Sequence, residues 1–489
     1  MKSIRTLALV VLLVVPCLGG TAIADDGYTI RDEAVAKLAD ALRVRLEARS
    51  KRADLLAKAG RTDEALALLE SIDTLYEKGM AEIRGLFAAG VGGGPAADGG
   101  PFVAPNPSAG APPPRKLSTL SAEVQRKGVR AAIDGGLRWL AAHQARDGSW
   151  SPATFGTDCN GERLDAASDG AGDDVHRVGV TGLALVAFLV NDYTHEGRHP
   201  FVECVAKATA FLIKAQDAEG AIGKHKGKEW IYGHALATLA LVESYGLTHD
   251  RRLLAAAQKA VAFSQTARNP YFAWRYGVKP GDNDTSVSHW MLLGLHSARA
   301  ANAELEAEGK KPVFTIDEGA FRGAIAWVDR MTDFDYGRVG YITRGSGAAR
   351  PRDLVDRFPA EQSGAMTAAG INMRLMAGQG IDHPSIAKGK RFLDDLRPKW
   401  KLAAQQGHMD MYYWFVGALV AQQLGGRTWR SWQTALVDAV AGTPRPDGNV
   451  CGVKGSWDPA GAWGFAGGRV YSTALMVNTL TVLKAGWTE

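Results

Sequence analysis

The sequence predicts an all-α fold in which six helical hairpins form two concentric rings, an α6/α6 toroid. Six short apolar helices recur along the chain, and the first two begin about 50 residues apart, a spacing that is typical of a repeat array. A more amphipathic helix precedes each of them, and the last one has no polar capping face, which favours a closed ring over an open solenoid. The apolar helices start near Gly182, His234, Ser288, Thr367, Tyr412 and Thr473.

The N-terminal residues 1–24 have the features of a signal peptide. Lys2 and Arg5 precede the short apolar run from Leu7 to Val15, and Ala22-Ile23-Ala24 offers a cleavage site. The run is too short to span a bilayer, so we expect a periplasmic or secreted protein without a transmembrane segment in the mature chain. The net charge of +5 is spread over the 489 residues without a basic block, which argues against a nucleic-acid partner.

Two segments precede the repeats. Residues 29–88 show two amphipathic patterns separated by Gly60 and Thr62, which predict a helical hairpin that could bind a protein partner. Residues 89–116 are rich in Gly, Pro and Ala and cannot build a core, so they are expected to form a flexible linker. The repeat domain then occupies residues 117–489.

Each hairpin is predicted to place an amphipathic first helix outside and an apolar second helix inside. A one-sided apolar stripe indicates one solvated face, whereas a helix that is apolar all round is buried on both faces. The turns between helices share a motif, Gln144-x-x-x-Gly148-x-Trp150 in the first hairpin, which recurs from Gln216. We expect the Gln to bond helix-end groups, the Gly to form the tight turn and the Trp to seal neighbouring helices.

Three segments resemble the terpenoid cyclase and protein prenyltransferase superfamily, with its squalene-cyclase-type repeats. They are LRWLAAHQARDGSW from Leu137, DTSVSHWMLLGL from Asp284, and DMYYWFVGAL from Asp410 together with GGRVYSTAL from Gly467. The resemblance covers about residues 117–489 and is to a secreted bacterial branch rather than to the known enzymes. It implies an α6/α6 toroid with a central cavity.

The cyclases of this superfamily protonate an alkene with an aspartic acid, and this implies a test of residues 282–285. Matching the family motif on Asp284-Thr285 puts Asn283 where the proton donor should be, and an amide cannot supply that proton. Asp282 or Asp284 could act as the acid only if the loop shifted. The alternative is that Asp284 and Ser286 cap the helix that follows.

The zinc site of the prenyltransferases is also altered in this sequence. The run Asp410-Met411-Tyr412 has a tyrosine where the resemblance implies a cysteine ligand, and a phenol is a poor zinc ligand. We therefore expect no metal and no cofactor. Glycosidases also use α/α toroids with paired carboxylates, and the loop after Trp150 is acidic, although a solvated or ion-binding loop explains it better. Its acidic residues are Asp158, Glu162, Asp165 and Asp173.

The inner-helix N-termini of such a ring all lie at one end, which we call the mouth. Their dipoles make the mouth electropositive, so a small apolar or anionic molecule could bind above the apolar wall. The alternative is that large side chains such as Trp290 and Phe415 fill the centre. The candidate mouth residues are His176, Arg177, Tyr232, His234, Ser288, His289, Asp410, Tyr412, Tyr413, Arg469 and Tyr471.

Ring closure also predicts a disulfide. Cys159 and Cys451 lie in corresponding loops of the first and sixth hairpins, which are neighbours in a closed ring, and export provides an oxidising compartment. Cys204, in the first helix of the second hairpin, is expected to remain a buried thiol.

The functional prediction is an exported, non-catalytic binding or scaffolding module with a central cavity. The first alternative is a terpenoid cyclase-like isomerase or lyase that acts on an isoprenoid or another apolar substrate, with Asp282 or Asp284 as the acid. The second is a carbohydrate-active toroid enzyme that uses the acidic loop. An apolar cavity with an embedded carboxylate would favour the former, and a cleft with paired carboxylates would favour the latter.

Overall fold

The chain divides into two compact units, residues 1–101 and 102–489, and the second contains the repeats. The predicted signal peptide (1–24), the hairpin (29–88, apart from Arg61 and Glu64) and the linker (89–116, apart from Lys116) lie outside the described residues. The computed structural model describes residues 61, 64, 116–164, 167–223, 230–270, 272–351, 354–400, 409–446 and 448–486.

Twelve α-helices form six hairpins in the described part of the second unit. The first helices of the hairpins are α1 (Ala122–Ala142), α3 (Val202–Lys214), α5 (Arg251–Ala267), α7 (Glu318–Met331), α9 (Pro384–Asp395) and α11 (Gly426–Leu436), which a π-helical turn (Val437–Ala441) extends. The second helices are α2 (Arg177–Leu189), α4 (Trp230–Thr248), α6 (Thr285–Ala307), α8 (Ala365–Met376), α10 (Met411–Leu424) and α12 (Gly464–Ala485).

Short elements occupy the loops that lead into the second helices, and one 3-10 turn precedes α1. The antiparallel pairs are β1 (Asp158–Cys159) with β2 (Glu162–Arg163), and β3 (Thr332–Asp333) with β4 (Arg338–Val339). Single 3-10 turns lie at Leu117–Thr119, Phe155–Thr157, Asp174–His176 and Ala360–Gln362.

The second helices form a closed inner ring. Each packs against the next in the order α2, α4, α6, α8, α10 and α12, and α12 returns to pack against α2. At this closure Asn191 donates from Nδ2 to Thr481 Oγ1 at 2.8 Å, and Asn478 donates to the Leu183 carbonyl at 3.3 Å. The α6/α6 toroid predicted from the sequence is therefore the fold of the described residues between positions 117 and 486.

Burial separates the two layers as the hydrophobic pattern predicts. Every residue of α2 from Gly179 to Leu189 is buried, whereas α11 alternates buried Trp429, Trp432 and Leu436 with more exposed positions. A helix between two layers loses both solvent faces, so only an apolar sequence suits the inner ring. In the described ranges no helix is both long and apolar enough to cross a membrane.

The turn motif performs the roles that its residues predict. Gln144 donates from Nε2 to the Gly148 carbonyl at 3.0 Å and to the Cys204 carbonyl of α3 at 2.8 Å, so it joins adjacent hairpins. Gly148 has φ +90°, a conformation that favours glycine. Trp150 is fully buried and donates from Nε1 to the Leu140 carbonyl at 2.7 Å.

Five of the inner helices carry a Thr, His or Ser near their start that also stabilises the preceding turn. Its side chain accepts a hydrogen bond from the backbone N–H of the residue at the Trp position, at 3.0–3.2 Å. His234 and Ser288 are therefore buried structural acceptors rather than the mouth residues that we expected, because their lone pairs satisfy turn N–H groups that are buried from water. The pairs are Trp150 with Thr181, Ile222 with His234, Trp274 with Ser288, Val339 with Thr367, and Trp457 with Thr473.

The seam between the sixth and first hairpins carries further cross-links. A disulfide joins Cys159 and Cys451, the two cysteines that the sequence pairs, with their Cα atoms 5.4 Å apart. Trp139 on α1 donates from Nε1 to the Gly452 carbonyl at 2.7 Å. Cys204 is a free thiol in a half-buried residue, and burial of its side chain raises its pKa to about 12.

Candidate functional site

The candidate site lies at the N-terminal end of α6, where Asp284 caps the helix. Its Oδ1 accepts a hydrogen bond from the Val287 backbone N–H at 2.7 Å, the cap that the sequence predicts, whereas Ser286 lies inside the first turn. The second oxygen, Oδ2, is buried and accepts no hydrogen bond of normal geometry from any described residue. Oδ2 lies 3.9 Å from Nε of Arg275. That Nε atom is also buried and has no hydrogen-bond partner among the described residues.

Burial is the dominant influence on this carboxyl group. The Asp284 side chain is fully enclosed, and loss of hydration of the charged form raises its pKa to about 7. The Val287 N–H, Arg275 and the Tyr341 hydroxyl favour the ionised form and oppose this rise. Near neutral pH the group therefore exists in both protonation states.

A chain of hydroxyl groups surrounds Asp284. The Oη atoms of Tyr276 and Tyr341 are 2.7 Å apart. Tyr232 is near enough to Tyr276, and Ser286 near enough to Tyr232 and Tyr412, to influence the pKa values of these phenols. Burial raises the pKa of all four phenols above the usual value for tyrosine, so they stay neutral. These residues lie at the starts of α4, α6 and α10 and in the loops that lead into α6 and α8.

Below the mouth, aromatic and polar side chains occupy the centre of the ring between α6, α8 and α10. Tyr412 Oη lies 3.1 Å from His289 Nδ1, and Asn372 Nδ2 lies 3.0 Å from His289 Nε2. Burial lowers the pKa of His289 to about 3, so the imidazole is neutral. The rings of Trp290 and Phe415 stack at 5.9 Å and are only 6% and 7% exposed, so this part of the centre is filled.

The second capping aspartate at the mouth, Asp410, has a full set of partners. Its Oδ1 accepts from the Tyr413 N–H at 3.1 Å, and its Oδ2 accepts from Arg350 at 2.7 Å and from Ser363 Oγ at 2.8 Å. Both charged side chains are almost fully buried. Asp410 therefore caps α10, as predicted, and closes a buried ion pair between the loop before α8 and the start of α10.

Four arginines around the mouth have acidic partners. The expectation of an anionic ligand depended on the helix dipoles, and this pairing leaves those dipoles without support from the charges of these four arginines. The pairs are Arg177 with Asp174 (2.8 Å), Arg275 with Asp282, Arg350 with Asp410 (2.7 Å), and Arg469 with Asp458 (2.7 Å) and Asp169 (3.1 Å).

The remaining predicted mouth residues separate into two groups. His176, Arg177 and Tyr471 are half-buried. His176 and Arg177 lie at the start of α2, and Tyr471 follows the kink at Gly468 of α12, so their place at the mouth stays a prediction. Tyr413 is wrongly assigned to the mouth, because its ring packs edge-on against Trp432 of α11 and its hydroxyl points to the outer layer. Its neighbour Tyr412 faces the centre because successive helix residues point about 100° apart.

Sequence reasoning missed Arg275, Tyr276 and Tyr341, which complete the site. Arg275 and Tyr276 directly follow Trp274, so the turn motif that places the tryptophan also delivers them to the mouth. Tyr341 follows β4 and reaches Tyr276 from the next hairpin. Their position directly after Trp274 could have indicated the first two, whereas nothing in the local sequence indicates the third.

The acidic loop of the first hairpin has structural roles where it is described. Asp173 accepts from the Val175 N–H at 3.0 Å and so caps a 3-10 turn, while Asp158 and Glu162 lie on the β1–β2 pair beside the disulfide. Asp165 lies outside the described residues.

Among the described residues, His195, Glu196 and Asp250 form one group that could hold a metal ion. His195 Nε2 lies 2.9 Å from Asp250 Oδ2. Arg252 contacts the same oxygen at 2.7 Å, and hydrogen bonds from Arg252 hold the pKa of Asp250 below its usual range. A cation would have to displace this guanidinium, so the group does not favour a metal site.

No protein-family model matches the chain, and no curated protein is significantly similar to it in sequence. Among solved structures, the GH76A α-1,6-mannanase of Salegentibacter sp. HEL1_6 is 11% identical over 74% of this chain and 99% of its own, with a TM-score of 0.46. Its inactive variant in complex with α-1,6-mannotriose has the same identity and coverage and a TM-score of 0.45. Cellobiose 2-epimerase from Spirochaeta thermophila DSM 6192 is 14% identical over 74% of this chain and 96% of its own, with a TM-score of 0.46. Similarity at this level carries no information on the chemistry of this chain.

Proposed function

We propose that the toroid is a non-catalytic binding module that holds a neutral, hydroxyl-bearing small molecule at its mouth. The observation that supports this is the hydroxyl chain of Tyr341, Tyr276, Tyr232, Ser286 and Tyr412 beside arginines whose charges are already paired. A hydroxyl group both donates and accepts, so it can exchange a tyrosine partner for a ligand hydroxyl. A charged ligand would need an unpaired countercharge to offset its desolvation.

The exposure of the tyrosines supports the same proposal. Tyr232 and Tyr276 are half-buried, and their ring centroids are 6.1 Å apart at an angle of 55°. Rings in such positions offer an apolar face and a polar edge to one ligand. Small-molecule sites commonly combine a few placed polar groups with aromatic walls.

Export and family membership are part of the proposal. The sequence features of residues 1–24 support cleavage before Asp25, and the three resembling segments support a place in the secreted branch of the terpenoid cyclase and prenyltransferase superfamily. A protein partner for residues 29–88 is proposed on the sequence pattern alone. Mass spectrometry of the protein purified from its host tests the first point, and a mature chain that retains Met1 would contradict it.

Acid catalysis by Asp284 is the second candidate, and its unpartnered Oδ2 is the observation that favours it. A carboxyl group that is still protonated near neutral pH can donate a proton to an alkene or to a glycosidic oxygen. The side chain is nevertheless fully buried, so a substrate could reach it only after the surrounding loops move. Binding without catalysis therefore fits the geometry better.

Fluorescence titration with three probes tests the proposed function, because Trp290 packs beside Tyr412 below the mouth. We use maltose as a neutral polyol, glucuronate as its anionic counterpart and farnesol as an isoprenoid. We expect saturable binding of maltose, weakened by about tenfold or more in Tyr232→Phe/Tyr276→Phe, since each lost hydrogen bond costs about 1 kcal/mol.

Tyr413→Phe is the control, because Tyr413 is a buried tyrosine that donates its hydroxyl away from the mouth. It should bind maltose like the wild type. Saturable binding of glucuronate alone would contradict the neutral-ligand proposal. Turnover of farnesol that Asp284→Asn abolishes would favour the catalytic candidate instead.

A further inference from the structure

A groove of about 420 Å³ lies outside the mouth, at the seam where the ring closes. It runs between α1 and the segment Ala441–Gly455, which follows α11. Its volume falls in the range of roughly 300–1,000 Å³ that is usual for small-molecule sites. We call it the seam groove, and it shares no lining residue with the hydroxyl chain of the mouth.

The body of the seam groove is apolar. Ala131, Ala132 and Gly135 on α1 form part of one side, and Leu117 and Val450 lie on others. Small side chains along one helix face leave the depression that the neighbouring segment does not fill, and the lining offers few hydrogen-bonding side chains. An occupant of this part must therefore be apolar and narrow.

The charged residues of the groove all have the same sign. Arg138, Arg445 and Lys454 line it, and no acidic side chain does so among its described lining residues. Arg445 is partly neutralised by Asp458 at 3.5 Å. Arg138 and Lys454 are exposed at the solvent edge of the groove, so they can pair with an anionic group of a ligand there. At this edge the cations and the anion keep part of their hydration.

The seam cross-links hold the groove in its open shape. Val450 precedes Cys451, whose disulfide to Cys159 anchors the segment, and Trp139 donates to the Gly452 carbonyl two residues further on. A wall fixed before binding costs little ordering entropy when a ligand arrives.

We propose that the seam groove binds one molecule of an anionic amphiphile, whose carboxylate lies beside Arg138 and Lys454 and whose alkyl chain lies on the small residues of α1. The apolar body of the groove suits the alkyl chain, and the cations at its edge suit the carboxylate. Its size suits a single molecule rather than a membrane surface. This proposal is independent of the function assigned to the mouth.

Isothermal titration with monomeric dodecanoate, with 1-dodecanol as the uncharged probe, tests the proposal on the full chain. Ala131→Trp places a large ring in the groove from an exposed position, and Ala255→Trp is its control at an exposed alanine of α5. Arg138→Gln/Lys454→Gln removes two charges, and Arg130→Gln is the control on α1 outside the lining. Thermal melting verifies that each variant is folded.

We expect one dodecanoate per chain, with binding weakened at least about tenfold by Ala131→Trp and unchanged by Ala255→Trp. The double charge variant should weaken dodecanoate about fivefold to tenfold and leave 1-dodecanol within about twofold, since exposed ion pairs contribute modestly. Equal binding to Ala131→Trp and Ala255→Trp would overturn the proposal. Association only with vesicles of anionic phospholipid, without a one-to-one dodecanoate complex, would also overturn it.

Discussion

Asp284 and Asp410 occupy equivalent positions at the starts of inner helices, yet their surroundings differ. Each accepts a backbone N–H from the first turn of its helix, at α6 and α10 respectively. Asp410 has an arginine and a serine on its second oxygen, whereas the second oxygen of Asp284 has no regular hydrogen bond from the described residues. The same cap thus belongs to a fully hydrogen-bonded carboxyl group in one hairpin and to a carboxyl group with one unpartnered oxygen in another.

The difference depends on which arginine approaches. Arg350 is almost fully buried and donates to Asp410 directly. Arg275 pairs instead with half-buried Asp282, so its Nε stays 3.9 Å from Asp284. A buried charge without its own partner retains much of its desolvation cost. Because one oxygen of Asp284 is buried without a hydrogen-bond partner, Asp284 rather than Asp410 is the group available for function.

Removal of the two carboxyl groups should give the largest contrast. Asp410→Ala leaves Arg350 buried without a partner, so we expect it to lower the free energy of unfolding by about 3–5 kcal/mol. Asp284→Ala loses a helix cap worth about 1 kcal/mol, but near neutral pH it also removes the cost of a buried ionisable carboxyl group, so its net loss should not exceed about 1 kcal/mol. Urea denaturation of both variants at one pH measures the difference. Equal losses would show that the two sites are not distinct.

The pH dependence of stability should single out Asp284. Its pKa is about 7 in the folded state against a model-peptide value of 3.8, so the folded state holds the proton more tightly between these values. Its contribution to stability is therefore complete only below the unfolded value of 3.8, falls as pH rises towards the folded value of about 7, and levels off above that.

Asp284→Asn keeps the cap but cannot ionise, so it should escape this loss. Relative to the wild type, we expect the variant to gain on the order of 2–3 kcal/mol between pH 5 and 7, at about 1.4 kcal/mol for each pH unit. Urea midpoints at several pH values give the comparison. Parallel stability curves for the two proteins would mean that the buried carboxyl group does not titrate in this range.

The arginines provide a smaller test of the same contrast. Arg275→Gln removes the nearest positive charge, so it should raise the pKa of Asp284 by roughly one further pH unit while it costs at most about 1 kcal/mol of stability. Arg350→Gln, in contrast, should destabilise the protein by several kcal/mol. Carboxyl-carbon NMR titration of aspartate-labelled protein measures the pKa, and an unchanged value in Arg275→Gln would remove Arg275 from the site.

Much of this architecture follows from local sequence. The alternation of amphipathic and apolar helices predicts the two layers, the turn motif predicts how neighbouring hairpins join, and ring closure brings Cys159 and Cys451 together. Asp284 and Asp410 are predictable as caps because a cap depends on residues within one helical turn. These features succeed because each depends on periodicity or on near neighbours.

The composition of the site was less predictable. His234 and Ser288 were expected at the mouth because they lie near helix starts, but their side chains turn outwards to satisfy buried N–H groups of the preceding loop. Tyr341 enters from a different hairpin and therefore has no signature near Asp284. Contacts between hairpins depend on loop paths that the periodicity does not encode.

The smallest expected effect concerns the hydroxyl of Tyr341, which favours the ionised form of Asp284 and also bonds Tyr276. Tyr341→Phe should raise the pKa of Asp284 by about half a pH unit and lower stability by about 1 kcal/mol, because Tyr276 loses its partner. Tyr336→Phe, at a largely exposed ring in the turn between β3 and β4, is the control and should change neither quantity. A pKa that rises in Tyr341→Phe but not in Tyr336→Phe would tie the hydroxyl chain to the carboxyl group. An identical pKa in both would separate Tyr341 from Asp284, and the contrast with Asp410 would then depend on Arg275 alone.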